Sequence, residues 1–348
     1  CTKREDGERS SRVVMVSLVP EINTLEDDLP HAKPADGGDN WTESFIFWIY
    51  LEDGRHFYVH FHRYPPVSTV WRCLATVCND DGTVLGYQHY GQELSLQGPG
   101  FQQCHAICDK PYESWQLHVD TVMQQTTRDA LRKEQISAFD HSCLTHFKLD
   151  LQVTSNTPTY EPMSYSGAKG SNANWTHFTP CRAKGTIAVG TESRPVDCLA
   201  YRDHSVGPRD FSRMNDEGYG LVGVFPSGKS FMAMGSYDKD GSAGFSIGGI
   251  TQNGRLSYAD KIKTPTFRVP EPNTELGRLV IETEQGTANV NIRFLDPGMV
   301  FELSPPCLHS LGLRGGLQDV GLLSHEHRIE VEWDGEIGVG SYQGSARE

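Results

Sequence analysis

The sequence predicts an all-β protein built from two consecutive antiparallel barrel or bent-sheet domains. Three observations lead there. Short apolar or alternating runs recur along the chain, separated by Asp-Gly, Asn-Gly and Pro-Ser-Gly turns. The long helical periods of a βαβ protein are missing, as is any glycine-rich phosphate loop after a strand. The 348 residues exceed what one hydrophobic core holds, about 250–300 residues.

Residues 1–39 read as a partly ordered N-terminal extension, rich in charge and proline, with Val13–Val19 as a short edge strand. A first domain over 40–165 follows. Its first hairpin pairs the aromatic run Ser44–Leu51 with His56–Arg63 across Asp53-Gly54. A second pairs Trp71–Val77 with Val84–His89 across Asp80-Asp81-Gly82. Leu94–Leu96, Trp115–Val119 and His146–Val153 add strands; in the last, Phe147, Leu149 and Leu151 share one face. Thr126–Gln135 is the one helical candidate of this half. Pro158–Ser171, rich in Pro, Ser, Gly and Tyr, reads as the seam to a second domain over 166–348. There Ala183–Val189, Gly220–Val224, Ser230–Ser236, Gly244–Thr251, Leu256–Ala259, Arg278–Thr283, Ala288–Phe294, His327–Trp333 and Glu336–Gly340 read as strands, with Asn253-Gly254 and Asp334-Gly335 among the turns. Sheets of this kind hide their edges by closing.

Composition narrows the function classes. With 31 Lys and Arg against 45 Asp and Glu, the formal charge is -14. This disfavours nucleic-acid partners and anionic membranes. No run of 18 apolar residues is present, so integral membrane contact is not expected. The chain starts at Cys1 without an apolar leader core, which suggests a trimmed N-terminus. A soluble, slightly preferentially cytoplasmic setting is expected. Nine cysteines, an odd number at loose spacing, do not make a disulfide framework, although Cys104 and Cys108 could form one bridge or redox pair. Gly-x-Ser-x-Gly, His-Glu-x-x-His and P-loop motifs are all absent, so serine-hydrolase, zinc-protease and kinase readings lack motif support, and no cofactor is called for.

Polar chemistry concentrates in Tyr201-Arg202-Asp203-His204-Ser205-Val206-Gly207-Pro208-Arg209-Asp210, whose Gly-Pro pair reads as a turn. A loop at a barrel mouth would present these groups inward, with Arg209 clamping a carboxylate. Glu43, at the start of the aromatic run, is a second acid–base candidate. His56, Tyr58, His60 and His62 share one strand face. Same-face neighbours on one strand stand about 6.6–7 Å apart, too far for all to reach one zinc ion, so no metal site is expected and pocket lining is. The 15 Phe, 13 Tyr and 6 Trp suit an apolar ligand.

The 201–210 segment resembles the central signature of the carotenoid 1,2-hydratase and AttH-like superfamily, two-domain lipocalin-like proteins that include hydratases and Diels-Alderase-type cyclases. Trp41-Thr42-Glu43-Ser44 is similar to that family's opening segment, Phe147–Pro162 to the segment joining its domains, and Gly335–Gln343 to its closing strand. The resemblance implies two lipocalin-like domains and a lyase or isomerase (hydratase, cyclase or double-bond isomerase) acting on a hydrophobic terpenoid, polyene or polyketide-like molecule. Asp203 would be the acid with Glu43 as alternate, His204 the relay or substrate hydrogen-bond partner, and Arg209 the group orienting the carboxylate. Trp41, Tyr58, Trp175, Tyr201 and Tyr342 would line the ligand. The chain departs from the pattern at Val206, at Phe178-Thr179-Pro180-Cys181 and at Ser341-Tyr342, where tryptophan, a more polar stretch and glutamate are usual. These changes weigh against hydration in particular. They leave open a carrier that binds such a molecule unchanged, or an assembly protein that has lost the site.

Overall fold

The computed structural model describes residues 9–10, 25–35, 41–63, 69–79, 81–127, 140–155, 157–164, 175–208, 217–237, 243–265, 275–295, 299–302 and 322–347. Among these residues the regular structure is β apart from one 3₁₀ turn, Leu25–Asp28. Eight strands form the first sheet's ring: β1 (Trp41–Tyr50), β2 (His56–Arg63), β3 (Val70–Cys78), β4 (Thr83–Gln92), β5 (Ser114–Thr127), β6 (Asp140–Thr154), β7 (Trp175–Val189) and β8 (Glu192–Pro208). Each pairs antiparallel with the next, and β8 returns to β1. The second sheet repeats the plan with β9 (Glu217–Val224), β10 (Ser230–Tyr237), β11 (Ala243–Gln252), β12 (Arg255–Thr264), β13 (Glu275–Thr283), β14 (Gly286–Phe294), β15 (Leu322–Trp333) and β16 (Glu336–Arg347), the last pairing with β9. The two sheets are therefore closed up-and-down meanders, which leaves few free edges.

Local chemistry explains the turns. Asn253-Gly254 (φ 54° and 72°) and Asp334-Gly335 (φ 54° and 77°) hold positive φ at both central positions. That matches the strand twist of a tight hairpin and favours Asn, Asp and Gly there.

Period-two alternation sorts the side chains. Phe45, Phe47, Ile49, Phe57, Val59, Phe61, Trp71 and Trp115 fill the first barrel. Leu221, Phe231, Ile281, Val290, Ile292 and Trp333 fill the second. The opposite faces, with Ile46, Trp48, Tyr50, Tyr58, Phe178 and Tyr201 from the first barrel and Val222, Met232, Phe245 and Ile247 from the second, pack into a third cluster between the barrels. All ten residues of β1 are buried because one face serves the first core and the other this junction. Hydrogen bonds cross it from Tyr50 to Ser341 (2.8 Å), Tyr160 to Ser230 (2.9 Å) and the Trp48 indole to Glu326 (3.3 Å).

Several sequence expectations change. β7 and β8 belong to the first sheet, so the crossover between sheets falls between Pro208 and Glu217 rather than near residue 165. The 201–210 polar segment is largely strand, not a loop at the mouth: β8 runs on to Pro208. Thr126 and Thr127 end β5 instead of starting a helix; the rest of that candidate, and Val13–Val19, lie outside the described residues. Cys104 and Cys108 stand four residues apart on the strand Cys104–Lys110 and are both free thiols. That spacing spans about 13 Å, beyond the roughly 7 Å limit for a disulfide. No helix among the described residues is long and apolar enough to cross a membrane.

Candidate functional site

The two motifs lie side by side on neighbouring strands. In the β1–β8 register, Trp41 faces Pro208, Thr42 Gly207, Glu43 Val206, Ser44 Ser205, Phe45 His204 and Ile46 Asp203. Alternation then splits each motif between two faces. Trp41, Glu43, Arg202 and His204 share the interior face of the first barrel with Phe45, while Thr42, Ser44, Asp203 and Ser205 share the outer face with Trp48 and Tyr201. Asp203 and His204, adjacent in sequence, therefore work on opposite sides of the wall.

The interior group is a polar network in a barrel otherwise filled with aromatic side chains. Glu43 is fully buried. His204 Nε2 (2.9 Å) and His31 Nδ1 (2.7 Å) donate to its Oε1, and the Arg63 guanidinium reaches Oε2 (3.2 Å). Burial alone would raise the Glu43 pKa, but the bonds from His204 and His31 outweigh it and bring it down to about 2. Burial also pushes His204 down to about 3, against the opposing pull of Glu43. His204 is thus a neutral imidazole donating from Nε2, its ring stacked on Phe45 at 3.7 Å. Glu43 is ionised at neutral pH, so the expected role of alternate acid is not one this environment supports; it holds charge for its partners instead.

Sequence reasoning missed the other half of this network. The 3₁₀ turn brings Asp28 into the barrel end with no exposed surface. Arg202 (2.5 Å) and His177 (3.1 Å) meet its Oδ1, while the Tyr112 amide (2.7 Å) and Trp115 indole (3.0 Å) donate to its Oδ2. Leu29 packs on the core beside it, so this part of the extension is a built cap.

Asp28, His177 and His204, and likewise His31, Glu43 and His204, place ligand atoms within 4.8 Å of one another. Arg202 and Arg63 already neutralise the two carboxylates. A divalent cation added there would leave net positive charge in the core, which is costly. The expected histidine face of β2 does form: His60 and His62 stand 5.6 Å apart, with Tyr58 bonded to His60 at 3.1 Å.

The outer face is ordered in rows across the strands. One row runs Pro180, Tyr201, Trp48, Tyr58, Thr76; the next Phe178, Asp203, Ile46, His60, Leu74; the third Thr176, Ser205, Ser44, His62, Arg72. It grades from aromatic to polar. Asp203 is buried and accepts from Thr176 at 2.5 Å. Its charge is felt by Tyr58 and Tyr201, whose hydroxyls are held neutral chiefly by burial. Tyr50, Tyr160 and Tyr201 of the first sheet all belong to the cluster shared with the second barrel. Tyr50 bonds Ser341 and Tyr160 bonds Ser230, but the Tyr201 hydroxyl, fully buried, has no hydrogen-bond partner among the described residues.

A family model described as a domain of unknown function, DUF7064, matches residues 24–342. The chain belongs to the DUF7064 family. No curated protein matches it in sequence. Among solved structures, this DUF7064 protein is similar to an AttH-like protein of Nitrosomonas europaea, with a TM-score of 0.58 at 13% identity over 88% of this chain and 92% of that one. It is also similar to kievitone hydratase from Nectria haematococca, with a TM-score of 0.56 at 10% identity over 97% of each chain. At such identities the likeness establishes the fold, and that fold is the one the sequence resemblance implied.

Of the sequence-predicted site residues, the DUF7064 structure brings Asp203, Tyr58 and Tyr201 together on the outer face. Glu43 and His204 meet inside the first barrel, with Trp41 on the same strand face. Tyr342 is not brought to either group: it lies in the second barrel's core, its ring 5.3 Å from Phe294 and 5.7 Å from His327. Its neighbour Ser341 takes the junction side, because consecutive strand residues face opposite ways. Trp175 opens β7 opposite Val206, and Arg209 lies outside the described residues.

Proposed function

We propose that this protein is a lyase- or isomerase-type enzyme using acid–base chemistry of its own side chains on a hydrophobic terpenoid, polyene or polyketide-like molecule. The substrate lies along the outer face of the first barrel, toward the second, with Asp203 as the acid–base group. One observation carries this reading. A buried carboxylate stands beside a buried tyrosine hydroxyl that lacks a hydrogen-bond partner among the described residues, on a largely apolar wall that includes Trp48, Phe178, Phe245 and Ile247. Buried polar atoms are nearly always satisfied, so an unsatisfied one suits a ligand oxygen. The aromatic wall would fold the substrate and shelter developing positive charge.

The test is metabolite capture from an extract of the source cells, read by mass spectrometry. Gain of one water identifies hydration, and unchanged mass with shifted retention identifies isomerisation or cyclisation. A ligand retained and released unchanged would replace the enzyme by a carrier. On the captured substrate, Asp203→Asn is expected to lower turnover about 10²–10⁴-fold; wild-type turnover in a folded variant would remove the acid assignment.

Tyr201→Phe separates ligand binding from packing. Removing an unsatisfied buried hydroxyl should leave stability unchanged or raise it by about 1 kcal/mol, while ligand affinity falls about tenfold. A drop in melting temperature with unchanged affinity would make Tyr201 a structural residue.

A further inference from the structure

The outer-face row next to Asp203 contains a hydrogen-bond chain whose direction can be worked out from its ends. Thr42 Oγ1 donates to the Arg63 carbonyl at 2.6 Å. Its one proton is thereby used, so at its 3.1 Å contact with His62 Nε2 it is the acceptor, and Nε2 carries the imidazole proton. In the neutral ring His62 Nδ1 is then the basic nitrogen, to which the Ser44 hydroxyl, 2.8 Å away, donates. Ser44 and His62 are both buried, and the register sets them directly opposite each other across β1 and β2. A serine hydroxyl donating to a neutral imidazole, whose other nitrogen is held by a third group, is the arrangement that activates a nucleophile. Across the next strand pairing from His62 stands Arg72, whose buried Nε has no hydrogen-bond partner among the described residues. It is a cationic donor able to answer an oxyanion forming on this row.

We infer that Ser44 is an activated nucleophile with His62 as its base, giving the protein an acyl-transfer activity toward carboxylic esters of apolar acids. Such a pair does not need the Gly-x-Ser-x-Gly elbow, because here the strand register does the positioning. Ser44 Oγ attacks the ester carbonyl carbon while its proton passes to His62 Nδ1. The tetrahedral intermediate collapses, breaking the carbon–oxygen bond to the leaving alcohol, which takes the proton from the imidazolium. Water, deprotonated by His62, then releases the acid and regenerates Ser44. The aromatic row of Tyr201, Trp48 and Tyr58, two rows away, offers the surface for an apolar acyl chain. This inference does not depend on the role given to Asp203, and its probes require no native substrate.

The full chain is treated with an alkyl fluorophosphonate and the adduct mapped by peptide mass spectrometry, alongside hydrolysis of p-nitrophenyl butyrate and octanoate. The expected result is one phosphonyl group on Ser44, octanoate hydrolysed faster than butyrate, and both reactions lost in Ser44→Ala. His62→Gln should slow labelling at least about 100-fold, and Thr42→Val, which removes the acceptor holding the ring, at least about tenfold. Absence of a Ser44 adduct on the folded wild-type protein overturns the proposal without any variant. So does labelling of Ser44 at an undiminished rate in His62→Gln.

Discussion

Asp28→Ala is expected to lower the free energy of unfolding by about 3–5 kcal/mol, the usual cost of leaving one member of a buried ion pair without its partner. Asp28 has no exposed surface and answers Arg202, His177, the Trp115 indole and the Tyr112 amide at once. With the carboxylate gone, Arg202, which is 1% exposed and already has one terminal nitrogen without a partner among the described residues, would sit charged among Trp115 and its neighbours. Asp27 supplies the control. Its carboxylate lies 3.9 Å from His31 and is one-third exposed, so Asp27→Ala should cost less than about 1 kcal/mol. Urea midpoints at constant slope measure both. Equal, small losses for the two variants would show that the turn merely rests on the barrel end.

The same residue marks the limit of what a sequence can disclose. Hairpins at Asn253-Gly254 and Asp334-Gly335 were legible because their turns need φ values that few residues tolerate, and that need is written locally. The cap was not, because Asp28 finds Arg202 174 positions away and nothing near residue 28 announces a barrel end to fill. β8 was misread as a loop for a related reason. A strand half-exposed to water alternates apolar and polar residues, but β8 sends Arg202 and His204 into a polar network and Asp203 and Ser205 onto another buried face. The alternation is present, yet it separates two polar sets and so carries no hydropathy signal. The candidate residues Asp203, His204 and Glu43 were visible as chemistry, while their partition into an interior pair and an outer group required the register. Ser44 and His62 share this property, since their meeting depends on β1 and β2 being aligned about the Asp53-Gly54 turn.

Acid should weaken this protein well before ordinary carboxylate titration is complete, and the interior network fixes the direction. His204 has a folded pKa of about 3 against an ordinary 6.5, so below pH 6.5 the unfolded chain binds the proton that the folded one refuses. Its contribution is fully present above pH 6.5 and is lost as pH falls toward 3. His177, lowered chiefly by burial, acts in the same sense. Glu43, down to about 2 from 4.5, contributes stability that is present above pH 4.5 and lost as pH falls toward 2. His31 opposes them: its pKa is raised, because Glu43 and Asp27 outweigh burial, so its contribution is present in acid and fades as pH rises through its folded value. Burial would raise Asp28, but Arg202 and His177 outweigh it and hold it well below the usual carboxylate range, so it adds stability that is present above pH 3.8 and lost below it. Four groups of the network against one give a net loss on acidification. Because Glu43 is shared by His204 and His31, the separate contributions do not add. The expected loss between pH 7 and 4 is about 3 kcal/mol, seen as a falling urea midpoint at constant slope. His204→Gln keeps a donor for Glu43 but cannot take up a proton, so it should flatten the curve between pH 6.5 and 4.5 while leaving the lower limb, where Glu43 titrates, in place. Glu43→Gln should do the reverse at low pH and cost stability at neutrality, since Arg63 and His31 each lose the nearer carboxylate and keep the more distant Glu93 and Asp27. A wild-type midpoint that stays level from pH 7 to pH 4 would show that the network relaxes or admits water as it protonates, and that the buried histidine does not govern the acid response.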